Sequence, residues 1–191
     1  MSNDAQELVV EYIIDEHDRI LSFNDGFRVF AQENDACSLL PKVLGSELWD
    51  HIAGLEVREM YRLLLNQVRL TGRSIRVPYR CDAPWMLRDL ELELEPLPGG
   101  LVRIRSRTRR LELRQALALL DPRTERDPTR MLLVCSWCKR IQDGSAWVEP
   151  DAYLQTHRLL TAKVLPQISH GMCGDCRTRV FAALNLGGTG V

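Results

Sequence analysis

Leu-Glu-Leu-Glu-Leu-Glu at residues 90–95 and Val-Arg-Ile-Arg-Ser-Arg at residues 102–107 carry the clearest structural signal in this sequence. In both stretches charged residues occupy every second position, which is typical of strands that turn one face to water. The turn-forming residues Pro-Leu-Pro-Gly-Gly stand between them at positions 96–100. The pattern predicts a β-hairpin.

The charges of the two strands are complementary. A register centred on Gly99 places each glutamate of the first strand opposite an arginine of the second, in the pairs Glu91 with Arg107, Glu93 with Arg105, and Glu95 with Arg103. Cross-strand pairs of opposite charge contribute roughly 0.2–1 kcal/mol each. Because the facing carboxylates neutralise the arginines, we expect a solvated sheet face here and not a nucleic-acid site.

The residues around the hairpin complete an α+β domain. Periodicity predicts strands at 8–14, 19–23 and 75–81, helices at 26–32 and 55–70, and a short exit helix at 109–120. Pro78 has no N–H to donate to a neighbouring strand, so the strand at 75–81 is expected at a sheet edge. The predicted fold is an antiparallel five-stranded sheet with its helices on one face.

Composition limits the functional classes. The chain has 191 residues, 45% hydrophobic and 27% charged, with a net charge of −1. These values are ordinary for a globular protein and provide no general attraction to nucleic acid. Residues 1–11 lack the pattern of a secretory signal, and no apolar run reaches the ~20 residues that a membrane helix needs. We therefore expect a cytoplasmic protein with reduced thiols.

A polar stretch at residues 121–130 contains two prolines and several charges, and it predicts a linker. It separates a domain at residues 1–120, which includes the exit helix, from a module at residues 131–191. A module of about 60 residues rarely builds a sufficient hydrophobic core, so the second module is expected to need an additional cross-link such as a bound metal.

The first domain resembles a PAS sensor domain. The resemblance rests on Tyr-Ile-Ile-Asp at 12–15, Arg-Ile-Leu-Ser-Phe-Asn at 19–24 and Gly-Phe-Arg-Val-Phe at 26–30, and on the order of elements over residues 8–110. It implies a ligand or cofactor cavity between sheet and helices, and dimerisation through flanking helices.

Four side chains are candidates for lining that cavity: Phe30, Trp49, Tyr79 and Cys81. Aromatic residues and buried thiols also serve as plain core, so that interpretation stays open beside the first. The helix at 55–70 contains no histidine, which disfavours haem, although His51 precedes it as an outside candidate. The Asn-Cys-Arg-Phe-Leu-Gln pattern of flavin photosensors is absent from the sequence, which disfavours flavin. The ligand is left unassigned.

Four cysteines dominate the second module: Cys135, Cys138, Cys173 and Cys176. They form two C-x-x-C pairs separated by 34 residues. Two residues between cysteines let both sulfurs converge on one ion, and two such turns supply a tetrahedral zinc site. The sequence predicts a hairpin with its turn at 143–144, a helix from Pro150 to about Leu160, and a helix after Cys176. A closed site of four thiolates predicts structural, not catalytic, zinc.

His170 offers an alternative ligand. It forms an H-x-x-C pair with Cys173, so three cysteines and one histidine could hold the ion and leave one thiol free. With four cysteines present, we place His170 in the second coordination sphere or in a structural role.

A knuckle, a hairpin and a ligand-bearing helix start resemble a treble-clef zinc site. The arrangement as a whole resembles a bacterial signalling family, over most of the chain. In that family a PAS-like domain precedes C-S-x-C-K-x-I, a tryptophan and S-H-G-x-C-x-x-C. The matching positions here are 135–141, Trp147 and 169–176. The resemblance implies a role in signal transduction and no particular activity.

The sequence thus predicts a non-enzymatic sensory or regulatory protein that acts on a protein partner and forms a homodimer. The alternative is a redox sensor or oxidoreductase that uses the C-x-x-C thiols. A nucleic-acid partner is not expected, because residues 131–191 carry six Lys or Arg against four Asp or Glu.

Overall fold

The structure, a computed structural model, describes residues 9–34, 36–52 and 54–185. Its first sheet is antiparallel and five-stranded, with the order β2-β1-β5-β4-β3. The strands are β1 (Val9–Ile14), β2 (Ile20–Phe23), β3 (Ile75–Arg80), β4 (Met86–Pro96) and β5 (Val102–Leu113). Leu8, at the start of the first predicted strand, lies outside the described residues. The same holds for the beginning of the predicted first domain and the end of the predicted second module.

The central hairpin has the predicted register. Glu95 pairs with Arg103, Glu93 with Arg105 and Glu91 with Arg107. β3 is an edge strand, as the proline within it predicted. Alternate residues of β4 and β5 therefore divide into an apolar face, which includes Leu94 and Ile104, and a charged face.

Glu93 is the buried centre of the charged face. Its residue surface is 5% exposed. It accepts two hydrogen bonds from Arg76, at 2.9 and 2.7 Å, and contacts Arg105 and Arg107 at 3.4 Å. Burial on its own raises the pKa of the Glu93 carboxyl, but hydrogen bonds from Arg76 and Arg105 outweigh it and hold the pKa below 4.5.

We expect Glu93→Gln to lower the free energy of unfolding at about pH 7 by roughly 1–3 kcal/mol, because three guanidinium groups lose a charged acceptor. A pKa that is lower in the folded state stabilises the protein above pH 4.5. That stabilisation is lost as the pH falls through the folded-state pKa, so the difference between the two proteins should be smaller at about pH 3 than at about pH 7. Urea unfolding at both pH values measures this. Glu112→Gln, at an exposed carboxylate, is the control; an equal difference at both pH values contradicts the prediction.

The described residues form five α-helices beside the sheets: α1 (Asp25–Glu33), α2 (Leu40–Val43), α3 (Leu55–Thr71), α4 (Pro150–Thr156) and α5 (Gly174–Asn185). Asn24 caps α1 by accepting a hydrogen bond from the Phe27 N–H. α3 buries Leu64 and Val68 in the same core cluster as the apolar face of the sheet. Phe27 of α1 packs edge-on against Tyr12 of that face. The predicted helices at 26–32 and 55–70 are therefore present, and both contact the apolar face.

The exit helix predicted at 109–120 is absent. Residues 110–113 instead continue β5 by pairing with residues 86–89 of β4, beyond a bulge at Arg109. A single 3-10 turn follows at Ala118–Leu120. The leucine spacing at 113, 117 and 120 fits a helix, but a helix this short is only marginally stable by itself, whereas residues 110–113 form a ladder of hydrogen bonds with β4.

A second sheet, of order β8-β7-β6-β9, is built from the C-terminal third of the chain. Its strands are β6 (Glu125–Cys135), β7 (Ile141–Asp143), β8 (Ala146–Val148) and β9 (Val164–Gly171). The hairpin around 143–144 is as predicted. The sequence did not predict β6 as a strand, because the first half of β6 falls within the predicted linker. Residues 125–127 pair with β9 in parallel, and the strand resumes after a register shift that skips 128–130.

The two parts of the chain share one apolar core. Trp137 and Val180 belong to the same buried cluster as Leu64 and Leu92. A separate, smaller cluster around Leu154 and Leu165 lies within the second part. Within the described residues, no helix is long and apolar enough to cross a membrane.

Candidate functional site

The four cysteine sulfurs converge at one point. All of them lie within 4.8 Å of one another. Cys135 ends β6, Cys138 follows in the next turn, and Cys173 and Cys176 stand at the start of α5. Three of the four residues are at most 2% exposed, and Cys138 is half-buried. Four soft ligands in this arrangement could hold a metal ion.

The backbone folds the first pair into a tight turn. The Lys139 N–H donates to the Cys135 carbonyl at 2.9 Å, and the Cys135 N–H donates to the Arg140 carbonyl at 2.7 Å. Lys139 closes the turn with a φ of 65°, in the left-handed region. The Ser136 N–H donates to the Gly171 carbonyl at 2.8 Å, which ties this turn to the strand leading into the second pair.

Backbone amides also point at the sulfurs. The Cys173 N–H lies 3.4 Å from the Cys135 Sγ, and the Cys176 N–H lies 3.4 Å from the Cys173 Sγ. The second contact belongs to the first turn of α5, whose dipole also favours negative charge. These donors stabilise thiolates, which are the form of cysteine that binds metal.

The thiols share protons among themselves. Hydrogen bonds from Cys138 and Cys176 to the Cys135 sulfur hold the pKa of Cys135 far below its ordinary value. Donating that bond raises the pKa of Cys138 to about 12. Because cysteine binds metal as the thiolate, a cation bound here would release the protons that the four thiols hold.

His170 lies outside the cluster. It is exposed on β9, where it pairs with Val134 of β6. The four-cysteine set brings its sulfurs together without a histidine.

A cleft of about 670 Å³ opens at the end of the apolar face that includes Tyr79, Leu90 and Ser106. Phe30, Tyr79 and Cys81 line it, as three of the four cavity candidates. The fourth, Trp49, is not among the lining residues, because its indole N–H donates to Asp18 at 3.1 Å and Arg62 covers its ring. This size and mixture of aromatic and polar walls are typical of small-molecule sites.

Several lining residues of the cleft were missed by sequence reasoning. Ser106 could have been found, because it is a polar residue that interrupts the apolar alternation of Val102 and Ile104. Its hydroxyl lies 2.5 Å from the Tyr79 hydroxyl. Arg88 has a signal of the same kind, because it continues the alternation of Leu90 and Leu92 on that face and is charged. His51, the outside candidate for haem, is exposed and lies 2.6 Å from the Ser46 hydroxyl.

Trp137, inside the first cysteine turn, joins the cluster to the sheet. Its indole N–H donates to the Pro78 carbonyl at 2.6 Å, and its carbonyl accepts from the Arg80 N–H at 2.8 Å. Its ring lies 6.1 Å from that of Tyr79. Tyr79 therefore packs near the tryptophan of the cysteine turn and also lines the cleft.

A charged network reinforces this junction. Arg80 is 8% exposed although it is an arginine. It binds Asp82, whose side chain is fully buried, and reaches Glu149 of the second part at 2.5 Å. Glu149 in turn accepts from Arg140, next to the cysteine turn, at 3.0 Å. Through Glu149, these ion pairs connect the sheet edge to the second part of the chain.

No protein-family model matches the chain, and neither does any curated protein. Function is therefore inferred from the geometry of the cluster and the cleft.

Proposed function

We propose that the protein is a non-enzymatic bacterial sensory or regulatory protein, in which a PAS-like domain is coupled to a structural zinc module. The observation that carries this proposal is the convergence of four cysteine sulfurs within 4.8 Å, in a turn that is seated on the sheet edge by Trp137. Zinc would cross-link the elements of the second part and so keep the cysteine turn in contact with the first part.

Zinc is the metal that the ligand set favours. Four thiolates at about 2.3 Å from the ion make a closed tetrahedral site with no position left for a reacting water. The knuckle, the β7–β8 hairpin and the start of α5 resemble a treble-clef site. The burial of the sulfurs, together with the small apolar cluster beside them, supports a structural role in which metal binding contributes folding free energy.

The first part supports the sensory role. A five-stranded antiparallel sheet, a long helix on its apolar face and a cleft at one end of that face agree with the PAS-like expectation. We place the protein in the cytoplasm, where thiols remain reduced and available to zinc.

The signal would pass to a protein partner, with a second copy of the chain as the first candidate. Exposed leucines on α3, namely Leu55 at 75% and Leu70 at 82%, are apolar side chains available for such contact. Sedimentation velocity measures this directly, and a monomer at every concentration would contradict the homodimer.

Freshly purified protein should contain about one zinc per chain that survives dialysis, and it should show no visible absorbance band. Elemental analysis and an absorption spectrum measure this. The four cysteines should be unreactive towards a thiol reagent until a chelator is added. A Soret or flavin band would contradict the expectation that the first part binds neither haem nor flavin, and less than half a zinc per chain would contradict the zinc assignment of the second part.

One observation favours the redox alternative. Cys138 is half-buried, and with Cys176 it lines a second cleft of about 640 Å³, through which an oxidant could reach the cluster. Two thiolates would lose two electrons and form one disulfide, while a peroxide takes up those electrons and two protons to give two waters. Zinc release on addition of peroxide, reversed by a dithiol, would favour this function, and zinc retained under peroxide would exclude it.

A further inference from the structure

The cleft at the end of the apolar face has mostly apolar walls. Val10, Met86, Leu90 and Leu111 contribute to them. Trp85, 53% exposed, lies at the rim, and Phe30 covers the cleft from α1. Such walls would bury the hydrocarbon body of a small molecule.

One cation lies among these walls. The guanidinium of Arg88 lies 5.4 Å from the centre of the Phe30 ring. Its Nε donates to the Cys81 carbonyl at 2.7 Å, and its Nη2 lies 3.4 Å from the Asn34 side-chain oxygen. These contacts hold the group in place and leave Nη1 without a protein acceptor among the described residues.

Arg88 differs from the arginines of the opposite face. Arg76, Arg105 and Arg109 each form a salt bridge with a glutamate. Among the described residues, no carboxylate oxygen lies within 4.0 Å of the Arg88 guanidinium. Glu33 also lines the cleft, but it is exposed and makes no ion pair with Arg88. A half-buried cation beside apolar walls therefore has no carboxylate paired to it in the part of the chain that the structure describes.

We propose that this cleft binds a small organic monocarboxylate, with its carboxylate paired to Arg88 and its apolar body against Phe30 and Trp85. The inference rests on the proposed function in taking this cleft as the sensing site. The hydroxyls of Tyr79 and Ser106, 2.5 Å apart on the apolar face, offer hydrogen bonds to a polar substituent on that body.

A carboxylate fits better than a phosphate. A guanidinium offers a planar fork that matches the two oxygens of a carboxylate. One guanidinium neutralises one charge, whereas a phosphate dianion would leave a second charge facing Leu90 and Met86. The apolar walls likewise favour a ligand with a hydrocarbon body over a free inorganic anion.

The test is an NMR titration of the zinc-loaded full chain, read at the indole N–H of Trp85 and assigned with Trp85→Phe. The probes are benzoate, phenylacetate and cyclohexanecarboxylate, their neutral amides, and inorganic phosphate. We expect at least one acid to bind roughly 10- to 100-fold more tightly than its amide, since a charged hydrogen bond is lost in the amide. Arg88→Gln should remove that preference, and Arg88→Lys should keep part of it.

Glu33→Gln is the matched control, at the other charged residue of the cleft, and it should leave acid binding equal or tighter. Equal affinity for acid and amide, an unchanged preference in Arg88→Gln, tighter binding of inorganic phosphate, or no binding of any acid up to about 10 mM would each overturn the proposal. Zinc content measured on the same sample separates this failure from failure of the proposed function.

Discussion

Cys173→Ser is expected to lose zinc and to unfold the second part of the chain. Cys173 is 1% exposed, its sulfur lies 3.7 Å from that of Cys138, and its amide contacts the Cys135 sulfur. The zinc–thiolate bonds contribute folding free energy on the order of 10 kcal/mol in small zinc domains. Removal of one of the four ligands should therefore cost more folding free energy than any single change in packing.

The measurements are zinc per chain and hydrogen exchange. We expect amides of β6, β9 and α5 to lose protection, and those of β4 and β5 to keep most of theirs. Cys37→Ser, at an exposed cysteine outside the cluster, is the matched control and should retain the zinc of the parent protein.

His170→Ala decides between the two ligand sets. A site of four thiolates keeps its zinc when the exposed histidine is removed. Loss of the metal in His170→Ala, together with its retention in Cys135→Ser or Cys176→Ser, would instead establish three cysteines and one histidine.

Trp137→Ala is expected to lower the free energy of unfolding by about 3–5 kcal/mol, while zinc remains bound. The residue is 4% exposed, packs near Tyr61 and Tyr79, and donates to the Pro78 carbonyl. Its side chain contributes no ligand, so the cost comes from a cavity between the two parts and from an unpaired carbonyl at the sheet edge.

Urea unfolding of zinc-loaded protein measures that loss. Trp137→Phe keeps most of the buried area but removes the donor, so it should cost about 1 kcal/mol. Trp85→Ala removes an equally large but 53% exposed side chain and should cost less than Trp137→Ala. If Trp137→Ala lowered the free energy of unfolding no more than Trp85→Ala, the contact of Trp137 with the sheet would not stabilise the protein.

Much of the first part could be predicted because its signals are local. The pairing of Glu93 with Arg105 follows from alternation and from the position of the turn, both contained within 18 residues. The edge position of β3 follows from Pro78, since a missing N–H has the same consequence in any context. The four cysteines are equally local in pairs, because two intervening residues bring two sulfurs together.

Other elements could not be read in this way because their partners are distant in the sequence. Residues 125–127 are polar and precede a proline, and they form a strand because residues 164–166 of β9 provide a parallel partner. Residues 110–113 extend β5 for the same reason, with β4 as the partner. Propensity alone favours a loop in the first case and a helix in the second, and tertiary pairing overrides both.

The sequence by itself determined the hairpin register, the edge strand and the set of four cysteines, because each depends on chemistry within a few neighbouring residues. Only the tertiary structure decided that Trp137 reaches the Pro78 carbonyl and that the two parts share a core. It also decided that Arg88 lies in a largely apolar cleft, where none of the described carboxylates pairs with it. These are contacts between residues far apart in the chain, and periodicity carries no information about which distant surfaces meet.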